Sequence, residues 1–392
     1  MSALPIPKRP ILMLTTHIAK TYNQILLNSQ QKQQQSHSSS ADEKGYFIAY
    51  ENQQINNYLV KKALGQGSFG RVMLVEAKDK NLYALKICRC QDYFTTAMRT
   101  EISLLKMIKQ KCPELTVSFV EDFDIGKHVG YVMEYMDMTL YQRLKNTRGK
   151  GFSLNEIQHL TKQFANWLIQ LEELNVVHTD MKPENMVMNA NDLDMKLIDF
   201  GSAILLEEGS RPSYIQSRFY RAPEILLGVS YNNKLDSWSL GALLVELYTT
   251  YVMFPAKSSP MLCKTYISLL GLPDEKFILY QDDWNNNCIR HKVERYFIIA
   301  DQAYYTKHQL ILQNLNIPQN SLFYPTEEVL FVEDRPQCQL RDLQEIIQKG
   351  HHQSESTTVL ESFIELIQNM LVYDSAARWS GKEILESKFL ND

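Results

Sequence analysis

Apolar residues change their spacing near residue 138, and that change sets what the chain can fold into. From residue 58 to residue 134 they come in short runs of strand character: Tyr58-Leu59-Val60, Val72 to Val75, Tyr83 to Ile87, Val117 to Phe123 and Val129 to Glu134. One stretch, 94–109, repeats them instead at helical spacing through Met98, Ile102, Leu105 and Ile108. Beyond 138 the helical period dominates. Leu154 to Leu174 is long and amphipathic, and Leu235 to Tyr248 (LDSWSLGALLVELY) is apolar nearly all round, which predicts a helix enclosed by a core. Residues 260–270, 340–349 and 358–371 also have helical spacing, whereas 274–335 carry no clear period. A chain of 392 residues exceeds one typical core, so the expectation is α+β: a small sheet with one helix, then a larger helical unit.

The first 45 residues read differently. Residues 29–40, SQQKQQQSHSSS, are low-complexity and have little apolar area to offset ordering entropy, so they are expected to be disordered; 11–27 hold a short helix-compatible run. Net charge is −4, so no global basic field points to nucleic acid or an anionic membrane. No run approaches the ~20 apolar residues of a membrane span. The cysteines are Cys88, Cys90, Cys112, Cys263, Cys288 and Cys338, with no usual zinc spacing; free thiols are expected. With no secretory pattern, these features predict a cytoplasmic or nuclear protein, and a monomer is expected.

Gly65-Gln66-Gly67-Ser68-Phe69-Gly70 matches G-x-G-x-x-G. Alone it is weak, since an ordinary hairpin turn would read the same way. A dinucleotide fold needs a helix at the third glycine, and Arg71 to Glu76 alternates as a strand instead. A Walker loop needs Gly-Lys-Ser/Thr, and this chain has Gly70-Arg71-Val72. Lys86 lies among Ala84, Leu85 and Ile87 on a predicted strand, where a charge needs a partner. Glu101 on the following helix is the candidate, although either residue alone reads as a solvated charge.

Residues 178–185, His-Thr-Asp-Met-Lys-Pro-Glu-Asn, and 199–201, Asp-Phe-Gly, carry the chemistry. Asp180 can accept a hydroxyl proton, and Lys182 can neutralise a moving phosphoryl group. Asn185 and Asp199 offer oxygen to Mg²⁺. A single such aspartate would read as a turn or cap. All four in this order are what phosphoryl transfer requires, because the protein there mainly positions groups and neutralises charge.

With Ala84-Leu85-Lys86, Ala222-Pro223-Glu224 and Asp236-x-Trp238, these motifs make residues 55–392 resemble the eukaryotic protein kinases. The resemblance implies a bilobal fold, with a β-rich N-lobe over 46–136 and a mostly helical C-lobe over 137–392 carrying an insert at about 251–340. It implies ATP and Mg²⁺ as cofactors and protein substrates, with no nucleic-acid or membrane partner. Leu64, Gly65, Gly67, Gly70, Val72, Ala84, Lys86, Glu134, Met136 and Val187 would hold the nucleotide, with Met133 as gatekeeper. Asp180, Lys182, Lys86 and Glu101 would serve catalysis, and Asn185 and Asp199 the metal. Arg378 would pair with Glu224. Lys182 is the residue of the serine/threonine class.

Residues 214–224, YIQSRFYRAPE, resemble the activation segment of the DYRK branch of the CMGC kinases, in which a tyrosine at the position of Tyr214 is autophosphorylated during maturation. Arg218 and Arg221 could pair with that phosphate. Asp42 to Phe47 and Thr179 are also similar to the CLK branch. His-Thr-Asp lacks the usual arginine, which speaks against switching by a phosphothreonine. The branch favours arginine before its target; Glu184 would meet it, while Gln142 stands where an acidic residue often helps. The reading from another functional class is a pseudokinase scaffold that binds ATP without chemistry.

Overall fold

The structure is a computed structural model that describes residues 41–206, 215–274, 277, 293–299, 302–332, 343–349 and 356–391. The low-complexity tract, the 11–27 run, Cys288, Cys338 and Tyr214 lie outside the described residues.

The apolar runs of the first part pair into one antiparallel sheet. Its strands are β1 (Gln54–Ile55), β2 (Tyr58–Gln66), β3 (Gly70–Glu76), β4 (Leu82–Cys88), β5 (Phe119–Ile125) and β6 (His128–Glu134), in the order β1-β2-β3-β4-β6-β5. Period-2 alternation turns Met73, Val75, Leu85, Ile87 and Val132 to one face, where they pack with Phe47, Ile55, Tyr58 and Val60. Helix α1 (Asp92–Lys111) covers the other face with Met98, Ile102, Leu104, Leu105 and Ile108. The G-x-G-x-x-G stretch is the β2–β3 hairpin. At Gly70 an added Cβ would lie 2.1 Å from the Ile87 carbonyl oxygen, so only glycine fits where this hairpin crosses β4. Gly65 and Gly67 have open space instead.

After Glu134 the chain leaves the sheet and becomes helical. β7 (Met138–Thr139) leads into α2 (Leu140–Asn146) and then α3 (Leu154–Glu173). α3 starts at Ser153, whose hydroxyl accepts from the Glu156 N–H while Glu156 accepts from the Ser153 N–H. A reciprocal cap of this kind contributes about 1 kcal/mol. Leu154, Ile157, Leu160, Phe164, Trp167, Leu168 and Leu171 form its buried stripe. Next come β8 (Val176–Val177), β9 (Met186–Met188), β10 (Met195–Leu197), β11 (Ile204–Leu205) and α4 (Pro223–Leu227). Strand β9 pairs with β7 and β10, and β8 with β11; these short ladders pin the loops that carry His178 to Asn185 and Asp199.

The segment apolar nearly all round is α5 (Leu235–Thr249), and every one of its residues is buried. Around it lie α6 (Ser259–Leu270) and, past the insert, α9 (Leu343–Lys349), α10 (Thr357–Met370), α11 (Gly381–Leu385) and α12 (Lys388–Asn391). The region without a clear period holds defined elements among its described residues. It holds β12 (Phe297–Ile299) paired with β13 (Phe323–Pro325), together with α7 (Gln302–Asn314) and α8 (Glu327–Leu330). The expected helix at 340–349 is described from Leu343. Among the described residues, Cys88, Cys90, Cys112 and Cys263 are free thiols, and no helix is long and apolar enough to cross a membrane.

One ion pair ties the C-terminal helices to the segment that begins α4. Arg378 Nη1 and Nη2 donate to the two Glu224 oxygens at 2.6 and 2.8 Å, and neither side chain has measurable exposure. The guanidinium also donates to the carbonyls of Val372 and Lys234 and lies over Trp238.

Candidate active site

The site lies where the sheet meets the helical part, around a cavity of about 520 Å³. Lys86 is central on β4, directly opposite Tyr131 of β6. Its ammonium donates to Glu101 Oε1 at 2.7 Å, to Oε2 at 2.9 Å and to Asp199 Oδ1 at 2.8 Å. Burial alone would pull the Lys86 pKa down, but Asp199 and Glu101 outweigh it and hold the pKa well above the ordinary lysine value. Lys86 in turn presses the Asp199 carboxyl down to about 2. Asp199 has a left-handed backbone, φ +67°, uncommon for a side chain with a Cβ.

A second cluster faces this one. Asp180 Oδ2 accepts from Lys182 Nζ at 2.5 Å and from Asn185 Nδ2 at 3.1 Å, and Oδ1 accepts from the Ser217 hydroxyl at 2.6 Å. With Nδ2 spent on Asp180, the Asn185 amide has its oxygen left for a cation. Asp199 and Asn185 both line the cavity. Among the described residues no group of three or more His, Cys, Asp or Glu could hold an ion alone. Two oxygen donors beside open space suit Mg²⁺, which keeps waters and phosphate oxygens as its other ligands.

The catalytic loop is fixed from below. The N–H groups of His178 and Thr179 donate to the two oxygens of Asp236 on α5, at 2.6 and 2.9 Å. His178 Nδ1 accepts from the Asp180 N–H at 3.2 Å while Nε2 donates to the Ile198 carbonyl at 3.1 Å, an arrangement that needs a neutral ring. Burial lowers the His178 pKa and favours the same form. Burial also pushes the Asp236 carboxyl up to about 7, against the pull of the two N–H donors. The unfolded carboxyl titrates near 3.9, so the folded state holds an extra proton between about pH 4 and pH 7 and the Asp236 contribution falls as pH rises through that window. A melting series over this range should show less decline for Asp236→Asn than for the wild type; parallel curves would contradict the assignment.

Thr179 is fully buried, with φ +65°, and its hydroxyl donates to the Ser202 carbonyl at 2.7 Å. This bond joins the catalytic loop to the turn that carries Asp199. Losing a buried hydrogen bond costs ~1 to 1.5 kcal/mol. Thr179→Val should therefore lower kcat about 5- to 10-fold, with Thr179→Ser retaining most of it. Steady-state kinetics showing Val equal to wild type would remove this role.

Of the residues singled out in the sequence, Gly67, Gly70, Val72, Lys86, Met133, Asp180, Lys182, Asn185 and Asp199 line the cavity. Glu101 stands behind Lys86. Ala84 is buried directly opposite Met133, and Val187 is buried on β9. Leu64 is exposed near the end of β2, next to Gly65, and Met136 is half-buried just after β6. Glu134 holds Lys196 at 3.1 Å and accepts from the Ser118 N–H. Arg221 is buried and donates to the carbonyls of Ile215 and Gln216, so two of its donors grip the backbone that follows Tyr214. Arg218 donates to the Lys257 carbonyl, and its buried Nε has no partner among the described residues. Sequence reasoning missed Tyr131, Ser202 and Ser217, and it gave Asp236 no role. Alternation from Met133, which puts Tyr131 on the same strand face, was the available sequence signal for Tyr131.

The model of the protein kinase domain matches residues 58–390. Over 249 residues the chain is 34% identical to human dual specificity tyrosine-phosphorylation-regulated kinase 4, covering 62% of this chain and 48% of that one. It is 36% identical over 233 residues to the probable serine/threonine-protein kinase dyrk2 of Dictyostelium discoideum, covering 56% of this chain and 25% of the relative. The dual specificity protein kinase YAK1 of Saccharomyces cerevisiae is 36% identical over 238 residues, covering 58% and 29%. The matches thus span less than half the length of these relatives.

Proposed function

The chain belongs to the protein kinase family and is DYRK-like within it, and from that premise we propose an ATP-dependent kinase that phosphorylates serine and threonine of proteins and matures by autophosphorylation on Tyr214. The observation that carries this reading is the convergence of Lys86, Asp180, Lys182, Asn185 and Asp199 on one cavity. Bound Mg-ATP supplies the transferable phosphoryl group and its leaving group. Every other requirement falls to this chain.

Lys86, held by Glu101 and charged at all ordinary pH, anchors phosphate oxygens. Asp199 and the Asn185 amide oxygen would hold the cation, which would neutralise phosphate charge there. Asp180 receives the hydrogen of the acceptor hydroxyl; its Oδ1 already accepts from a hydroxyl, that of Ser217. Lys182 neutralises charge on the group in transit. The open space at Gly65 and Gly67 lets loop backbone approach phosphates. Gln142 is committed to the Thr139 capping box, giving and receiving one hydrogen bond, so it offers a substrate arginine little. Glu184 remains the acidic candidate.

The test is incubation of the purified chain with Mg-ATP and a generic protein substrate, followed by phosphoamino-acid analysis. Phosphoserine and phosphothreonine are expected in the substrate, and phosphotyrosine on the enzyme only. Mass spectrometry of protein expressed alone in bacteria should find phosphate on Tyr214. Fully active enzyme with unmodified Tyr214 would remove the maturation step.

A further inference from the structure

The mechanism so far makes no use of Tyr131, a buried polar group of the cavity wall. Tyr131 lies on β6 opposite Lys86, on the same face of the sheet, and its side chain is 1% exposed yet forms part of the cavity wall. Its hydroxyl donates to Glu101 Oε1 at 3.1 Å, the oxygen that also accepts from Lys86 at 2.7 Å. The Lys86 ammonium lies 5.9 Å from the centre of the Tyr131 ring, and the Phe119 ring packs against that ring with centroids 6.2 Å apart. Burial, followed by the Glu101 charge, raises the Tyr131 pKa well above the ordinary tyrosine value, so the group stays a hydrogen-bond donor.

A carboxylate held only by a flexible lysine can rotate or follow its helix away. Glu101 is carried by α1, which lies outside the sheet, so its reach to Lys86 depends on where that helix sits. Tyr131 belongs to a central strand, hydrogen-bonded on both sides by β4 and β5. It therefore fixes one Glu101 oxygen from a rigid element. We propose that Tyr131 is a positioning residue for nucleotide binding: its hydroxyl clamps Glu101, and through Glu101 and α1 it holds Lys86 aimed into the cavity. The role rests on the nucleotide reading given above.

The effect should fall on the nucleotide and not on the protein substrate. Tyr131→Phe keeps the ring, its packing on Phe119 and its face toward Lys86, and removes only the donor. The expected result is a rise of about 10- to 100-fold in KM for ATP, roughly the worth of one hydrogen bond to a charged group. KM for a peptide substrate should stay unchanged, and any fall in kcat should be smaller than the rise in KM for ATP. Binding of a fluorescent ATP analogue, measured directly, should weaken by the same factor as the KM.

A purely structural role predicts otherwise. A smaller folded fraction lowers kcat and leaves both KM values in place, and that pattern would overturn the proposal. Kinetics identical to wild type would overturn it too. The wild type separates this question from the wider one. If wild-type protein fails to bind Mg-ATP, the nucleotide reading itself falls; if it turns over normally and Tyr131→Phe matches it, only the clamp falls.

Discussion

Asp180→Ala and Lys86→Met, made separately, are each expected to lower the rate of phosphoryl transfer by at least ~100-fold, the scale of one pre-organised electrostatic group in an active site. The two losses have different origins. Asp180→Ala removes the acceptor for the substrate hydroxyl and also releases Lys182, Asn185 and Ser217, all of which bond to it. Lys86→Met leaves Glu101 and Asp199 facing one another without the cation between them. Asp199 then loses the charge that holds it at about 2, and like charges oppose its ionisation. Single-turnover kinetics at saturating Mg-ATP separates the two. Asp180→Ala should retain nucleotide affinity, whereas Lys86→Met should lose part of it.

Arg378→Ala should destabilise the folded protein by about 3 to 5 kcal/mol, the usual consequence of stranding one partner of a buried ion pair. The exposure of both side chains is zero, so Arg378→Ala leaves the Glu224 charge buried without its cation. The carbonyls of Val372, Tyr373 and Lys234 lose their donor in the same step. Glu224 lies in α4, directly after the segment that contains Arg221 and Ser217, so the loss should loosen the chain that meets Asp180. Urea denaturation is the measurement: the midpoint should fall with the slope unchanged. A midpoint within error of the wild type would contradict a structural role for the pair. Replacing both partners with apolar residues of similar size should cost less than replacing either one, since no charge is then left buried alone.

Local pattern made most of the fold legible, and the exceptions have physical reasons. Helix α5 was plain because fourteen consecutive positions, Leu235 to Tyr248, lack a polar face. The β2–β3 hairpin was plain because Arg71 to Glu76 alternates as a strand where a dinucleotide fold would start a helix. The pairing of β12 with β13 was not, because each strand is three residues long and the partners lie on either side of helix α7. A short apolar run carries no period of its own, and its partner is chosen by packing. The segment Asp42 to Phe47 gave another such surprise. Its sequence read only as a resemblance, yet Asp42 pairs with Arg71 at 2.9 Å and the Tyr46 hydroxyl donates to the Gly67 carbonyl at 3.0 Å.

The site followed the same division. Lys86, Glu101, Asp180, Asn185 and Asp199 announced themselves through residue type and order, although Lys86 and Asp199 are 113 residues apart in the chain. Their supports did not. Ser217 and Tyr131 act through hydroxyls that any surface serine or core tyrosine also carries, and only their placement beside a carboxylate gives them a role. Thr179 read as a departure from a motif. Its positive φ and its bond to Ser202 show a residue that ties the catalytic loop to the Asp199 turn by one buried hydroxyl.

The most direct test of the account is transfer of the γ-phosphate from Mg-ATP to a protein substrate by wild-type chain and by Asp180→Ala, assayed side by side at equal folded concentration. The account predicts phosphoserine and phosphothreonine formed by the wild type at a rate at least ~100-fold above that of the variant. Equal rates for the two proteins, or no transfer by a wild type that binds Mg-ATP, would contradict it.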